Sequence, residues 1–296
     1  MTGRPFIDYS SRPPLQALNI RAPHLKNYDR IYAGSEKDPL EREPEYSPAA
    51  LQRYLAAYDA VGASKVVVKA RDLETTFGMK IRNEDIAAFC REQGERFLGF
   101  AGADPHKGMT AVRELEFAVR DLELRGLNLQ CFEHKLRIND PKMYPLYAKC
   151  IELDIPVNIH CGINFSTDTA MEYGRPSYLD EVMVHFPELR VCAAPPGWPW
   201  VHELLGVAWK HPNVWIGLVY VRPKLLAVPQ SGYEPLLQYG RTILQDKIIF
   251  GSGFPSLGLD TAMAEIDALG LPDRVKTKWL YGNAATFLRL DEQEST

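Results

Sequence analysis

Pro156-Val-Asn-Ile-His160-Cys-Gly162 reads as a buried strand that stops on a histidine. The run is short, mostly apolar, and framed by proline and glycine, as expected of a strand covered on both faces. Seven comparable runs share the chain with it. They are Phe6-Ile-Asp8, Lys65-Val-Val-Val-Lys69, Phe97-Leu-Gly-Phe-Ala-Gly102, Gly126-Leu-Asn-Leu-Gln130, Arg190 to Ala194, Val214-Trp-Ile-Gly-Leu218, and Lys247 to Gly251. Segments with helical spacing lie between them. Asn83 opens one as a cap, with Glu84 and Asp85 in its first turn, and Thr110 to Arg120 is a second. Asp140-Pro-Lys-Met-Tyr144 starts a third, with proline at the first helical position. Further helices are expected over Ser177 to Phe186, Pro199 to Lys210, Asp260 to Leu269 and Pro272 to Trp279. Apolar strands alternating with amphipathic helices predict a parallel sheet, and eight such units predict closure into a single α/β domain, a (β/α)8 TIM barrel.

The chain of 296 residues suits one such barrel. With 46% hydrophobic and 24% charged residues it has enough apolar matter for a core. A net charge of −4 provides no basic footprint, so nucleic acid is not an expected partner. No window approaches about 18 uninterrupted apolar residues, which argues against a membrane span. The opening Met1-Thr-Gly-Arg-Pro5 has no apolar signal region, and a cytoplasmic location is expected. The five cysteines (Cys90, Cys131, Cys150, Cys161, Cys192) include no Cys-x-x-Cys pair and are expected to be free thiols.

Residues 11–48 break the alternation. They are rich in proline and charge, and an insertion of that length after the first strand is expected to form a lid or an interface. The tail 291–296 is expected to fray.

In such a barrel the chemistry sits at the C-terminal strand ends. Those ends offer Asp8, Ser10 and Arg12; Lys69 and Arg71; Asp104; Gln130, Glu133 and His134; His160 and Cys161; Pro195; Tyr220 and Arg222; and Ser252.

The chain resembles the amidohydrolase-related proteins similar to aminocarboxymuconate-semialdehyde decarboxylase. The resemblance runs from Ile7 to about Leu288. Ile7-Asp8, Asn139-Asp-Pro-Lys-Met-Tyr-Pro-Leu-Tyr147, Ile155 to Gly162 and Gly174-Arg-Pro-Ser-Tyr-Leu-Asp-Glu181 carry it, with Gly197-Trp-Pro-Trp-Val201, Asp246 to Ser252 and Leu280-Tyr-Gly-Asn-Ala-Ala285. It implies metal ligands at four places where this chain has none. Two histidines of the first strand are replaced by Ser10 and Arg12, a sixth-strand histidine by Pro195, and an eighth-strand aspartate by Gly253. Only His160 remains. A hydroxyl, a guanidinium, a proline and a glycine do not make a zinc site, and a guanidinium repels a dication at close range. No catalytic metal and no other cofactor is therefore expected. Some relatives, the pyrone-dicarboxylate lactonases, look metal-free and polarise the substrate with basic side chains. That route resembles one keeping the eighth-strand aspartate as base, which Gly253 removes here.

The expected catalytic residues are His160, Arg12 and Asp8. Arg12 binds a substrate carboxylate in place of the lost cation, or pairs with Asp8, or does both. His160 carries out acid–base work, since a histidine titrates near neutrality when unperturbed. Lys69 either faces the barrel mouth or snorkels outward. Lys69, Gln130, His134, Tyr220, Arg222, Ser10 and Ser252 are the expected substrate-binding residues. The leading expectation is a metal-independent decarboxylase or hydrolase of a small carboxylated substrate. The rival is a catalytically silent barrel kept as a binding or assembly partner. An ordinary metallohydrolase would require ligands such as Glu133 or His134. Relatives of this fold commonly resemble dimers, so a homodimer is expected.

Overall fold

The computed structural model describes residues 5–20, 22–25, 27–28 and 46–290. Eight of its strands are parallel neighbours: β1 (Phe6–Ser11), β2 (Ala63–Lys69), β5 (Phe97–Gly102), β6 (Leu127–Leu129), β7 (Val157–His160), β8 (Val191–Ala194), β9 (Val214–Leu218) and β10 (Ile248–Phe250). All eight were legible as apolar runs. Between β2 and β5 lies an antiparallel hairpin, β3 (Arg71–Leu73) and β4 (Met79–Ile81), which the sequence did not reveal. Its strands are three residues long, too short for alternation to register.

Hydrogen-bonded order is β1-β2-β5-β6-β7-β8-β9-β10. The barrel closes at its mouth, beyond the end of β10. There Gly253 N donates to Ser10 O at 2.8 Å and Arg12 N to Phe254 O at 2.8 Å. Lower down, Phe6 and Phe250 meet edge to face at 6.2 Å.

Alternation along the strands separates two cores. Ile7, Tyr9, Val67, Phe100 and Cys192 fill the barrel interior, and Phe6, Val66, Val68, Val157 and Ile159 pack outward against the helices. The helix Asn283–Leu288 plugs the interior from below, where Phe287 meets Tyr9 at 5.6 Å and Trp215 at 5.2 Å. The helix Pro48–Val61 begins on Ser47, whose Oγ accepts from Ala50 N at 3.1 Å.

Two helix starts differ from expectation. The segment opening at Asp140 is turn, because the Asp140 carboxylate accepts from Lys142 N, and the helix runs only over Tyr144–Glu152. Asn83 does not cap its helix. Its side chain clamps the Gly102 backbone instead, accepting from N at 2.8 Å and donating to O at 3.1 Å. The described part of the insertion forms two short 3-10 turns, Gln16–Leu18 and Pro23–Leu25. Residues 21, 26 and 29–45 of that insertion and the tail 291–296 lie outside the described residues. No helix among the described residues is long and apolar enough to cross a membrane.

Candidate active site

At the C-terminal strand ends lies a cavity of about 90 Å³. Six of the expected residues line it: Ser10, Arg12, Lys69, Gln130, His160 and Tyr220. Arg71, Asn128 and Asn158 line it as well. The two asparagines were missed, although they are polar residues at inward positions of otherwise apolar strands. That parity was the signal available in the sequence. Three cationic side chains therefore face the cavity, and among the described residues no aspartate or glutamate does.

A chain of amides fixes the floor. Asn128 Nδ2 donates to Ala70 O at 2.8 Å, so its Oδ1 must accept. That oxygen receives Asn158 Nδ2 at 2.8 Å and Gln130 Nε2 at 3.0 Å. Asn158 Oδ1 is thereby turned toward Lys69 and accepts from Nζ at 3.2 Å. Lys69 thus points inward, not out to solvent. Its Nζ also sits 4.0 Å from the centre of the Tyr9 ring. Burial pushes its pKa down to about 7, with Arg12 adding a smaller push in the same direction.

His160 ends β7, its ring 4.5 Å from that of Phe132. Its Nδ1 is buried and finds no hydrogen-bond partner among the described residues. Burial pushes its pKa down to about 4, so the expected titration near neutrality is corrected: the imidazole is neutral there.

Four expected residues do not reach the cavity wall. Asp8 lies on the outer side of β1 with Phe6. One carboxylate oxygen accepts from Ser10 N and Ser252 N, the other from Tyr58 Oη and Ser252 Oγ. This network stitches β1 to the chain beyond β10 and to the helix Pro48–Val61, and Ser252 is consumed by it. Burial raises the Asp8 pKa against the lowering effect of these bonds. The expected Asp8–Arg12 pair does not form. Arg12 is exposed at the rim, its guanidinium 5.0 Å from the centre of the Tyr220 ring. Arg222 turns away to Glu265 on the helix Leu259–Ala268. His134 is buried in a single helical turn, Cys131–His134, which Lys135 ends with a left-handed backbone, and its pKa is pushed down to about 4 by burial. Position just after a strand did not determine side-chain direction for these residues.

Behind the wall Glu133 is fully buried and bonded to Arg71 and to His24 Nε2, the latter at 3.1 Å. Burial opposes its charge, yet Arg71 and His24 hold its pKa below the usual carboxylate range.

The residues do not fit a divalent cation. Among those described, no three His, Cys, Asp or Glu side chains gather closely enough to hold one. Both Asp8 oxygens are occupied, and Ser10, Arg12, Pro195 and Gly253 bring no strong donor. Space is also lacking: a Cβ on Gly253 would stand 2.5 and 2.6 Å from Tyr220 ring atoms, and Gly253 has φ +70°.

The profile of the family described as amidohydrolase matches residues 23–290. Gamma-resorcylate decarboxylase from Rhodococcus jostii is 21% identical over 248 residues, covering 71% of this chain and 75% of that protein. An uncharacterized TIM-barrel protein from Bordetella bronchiseptica is 27% identical, with TM-score 0.78, 96% of this chain and 98% of that one covered. A dihydroxybenzoic acid decarboxylase from a Polaromonas species, solved with manganese and 2-nitroresorcinol, has TM-score 0.64 at 15% identity, covering 98% of each chain. The first of these matches takes in most of the barrel, from within the insertion after β1 to the end of the last helix: this chain belongs to the amidohydrolase family.

Proposed function

We propose that this barrel is a metal-independent decarboxylase acting on a small carboxylated substrate. The observation that carries the reading is the cavity wall, with Arg12, Lys69 and Arg71 present and no carboxylate among the described lining. Such a wall attracts an anion and offers no carboxylate base among the described residues. Hydrolysis would need Lys69 as the base that activates water, since the weakly basic His160 is a poor one. Decarboxylation needs a held carboxylate, a place for the released electron pair, and a proton delivered to carbon. Arg12 holds the substrate at the rim, Ser10, Gln130 and Tyr220 complete the pocket, and His160 passes the proton. The decarboxylases among the similar proteins support the same class of reaction. Where the Polaromonas protein carries manganese, this chain is proposed to work with its own cations instead.

The described start of the insertion, residues 13–20, covers part of the mouth. In support, Pro13, Leu18, Asn19 and Ile20 contribute to the wall. The protein is a cytoplasmic homodimer. Its five unpaired cysteines suit a reducing compartment, and the exposed Trp209 and Ile243 offer an apolar contact surface.

The test begins with thermal shifts on a panel of carboxylic acids, 2,6-dihydroxybenzoate included, followed by CO2 release from each acid that binds. Arg12→Ala should weaken binding about ten- to hundredfold, the worth of one charged hydrogen-bond pair. His160→Ala should retain binding and lose turnover. CO2 release should survive chelator treatment. Loss on chelation with recovery on added manganese overturns metal independence. Binding without turnover by any acid favours the silent-barrel reading.

A further inference from the structure

Resting on the decarboxylase reading above, one problem of chemistry remains. Breaking a carbon–carboxylate bond leaves an electron pair that must be delocalised, and the residues here do not fit a Lewis-acidic metal. Arg71 is already engaged by Glu133, and Arg12 stands at the rim. Lys69 is the cavity-lining group able to generate an electron sink by covalent chemistry. It is partly buried, it points into the cavity, and the partners of its Nζ are an amide oxygen and an aromatic ring. No carboxylate among the described residues pairs with it.

We propose that Lys69 is a Schiff-base nucleophile and that the substrate is a 3-oxo acid. Nζ attacks the ketone carbon, and a proton moves from nitrogen to oxygen to give a carbinolamine. Protonation of its hydroxyl expels water and leaves an iminium. The bond to the carboxylate then breaks, CO2 departs, and the released pair forms a C=C bond as the C=N π pair moves onto nitrogen, giving an enamine. The enamine carbon takes up one proton, and water releases the ketone and restores the amine. The sum is one carboxylate and one proton in, one ketone and one CO2 out. No oxidant or reductant is needed.

Three features of the site suit this sequence. Asn158 Oδ1, held by the amide chain that starts at the Ala70 carbonyl, aims the amine into the cavity. The Tyr9 ring face favours an ammonium and an iminium alike, since both carry the positive charge at nitrogen. The lowered pKa of Lys69 leaves a large share of free amine near neutral pH, as nucleophilic attack requires.

The experiment incubates the full chain with acetoacetate and cyanoborohydride, then maps adducts by peptide mass spectrometry. Longer and aryl-substituted 3-oxo acids follow, with acetate as the negative control. The expected result is a reduced adduct on Lys69, formed only with oxo acids and absent from Lys69→Arg. Lys69→Met serves as the second variant should Lys69→Arg fail to fold, with cooperative melting as the check. Asn158→Ala should slow trapping while leaving the adduct on the same lysine. Absence of an adduct across the whole panel, or an adduct on a different lysine, overturns the proposal. An adduct on Lys69 without CO2 release sustains the nucleophile and sinks the decarboxylase reading. CO2 release from other acids without trapping does the reverse.

Discussion

Lys69 and Asn158 show how a single contact sets the behaviour of a titratable group. A lysine bonded to a carboxylate would stay charged, whereas beside an amide oxygen the desolvation of Lys69 outweighs the charges at Cys192 and Asp8 that favour its proton. Its folded pKa of about 7 lies below the ordinary 10.5. Between those values the unfolded chain binds a proton that the folded chain does not, so stability rises with pH across the window, and the penalty is full below it. Lys69→Met should therefore stabilise the fold more at pH 6 than at pH 10, as read by urea denaturation at the two values. An equal gain at both would mean that the lysine carries its charge in the fold. At this scale the sequence was half legible. Inward parity places Lys69, Asn128, Asn158 and His160 on one surface. Nothing in the sequence announced that Ser252 would be tied up by Asp8, or that Arg222 would find Glu265. Those pairings join residues far apart in the chain, and only the closed barrel brings them together.

The elements that close the barrel explain why the site differs from what the resemblance implies. Strands β1 and β10 are joined at the mouth by the Asp8 network and by the bonds from Gly253 and Arg12 to the opposite backbone. Tyr220, just beyond β9, has φ 58°, an uncommon backbone for a residue with a large side chain. Its ring lies under Arg12 and over the hydrogen face of Gly253. Gly253→Asp, which writes back the implied ligand, should cost about 1–3 kcal/mol for the left-handed backbone alone, before any clash with the ring. It should also fail to bind manganese in equilibrium dialysis. Stoichiometric metal in that single variant would show that the ring yields easily. Elements were the most legible level of this chain, because apolar strands and amphipathic helices announce themselves by period. The exceptions have local causes, as with the turn at Asp140 and the clamp made by Asn83.

On the scale of the whole molecule, the barrel presents Trp209 and Ile243 to solvent, 56% and 54% exposed. Trp209 leans toward Tyr239 at 6.2 Å, which continues the apolar surface toward the helix Glu234–Gly240. If two copies pair through this surface, light scattering should give a dimer mass that Trp209→Glu reduces to a monomer without lowering the melting temperature. An unchanged mass would place the interface elsewhere or abolish it. The closed barrel was readable from the eight runs, but its outer surface was not, because exposure depends on which helix neighbours which. The interlock of Tyr220 with Gly253 has a consequence for any route from this chain toward a metal-dependent site. The aspartate demands that the tyrosine ring move or shrink, and either change disturbs the platform beneath Arg12. Each first step damages the existing pocket before the second can repay it, so the two chemistries are separated by a ratchet, and a designer would have to change both positions at once.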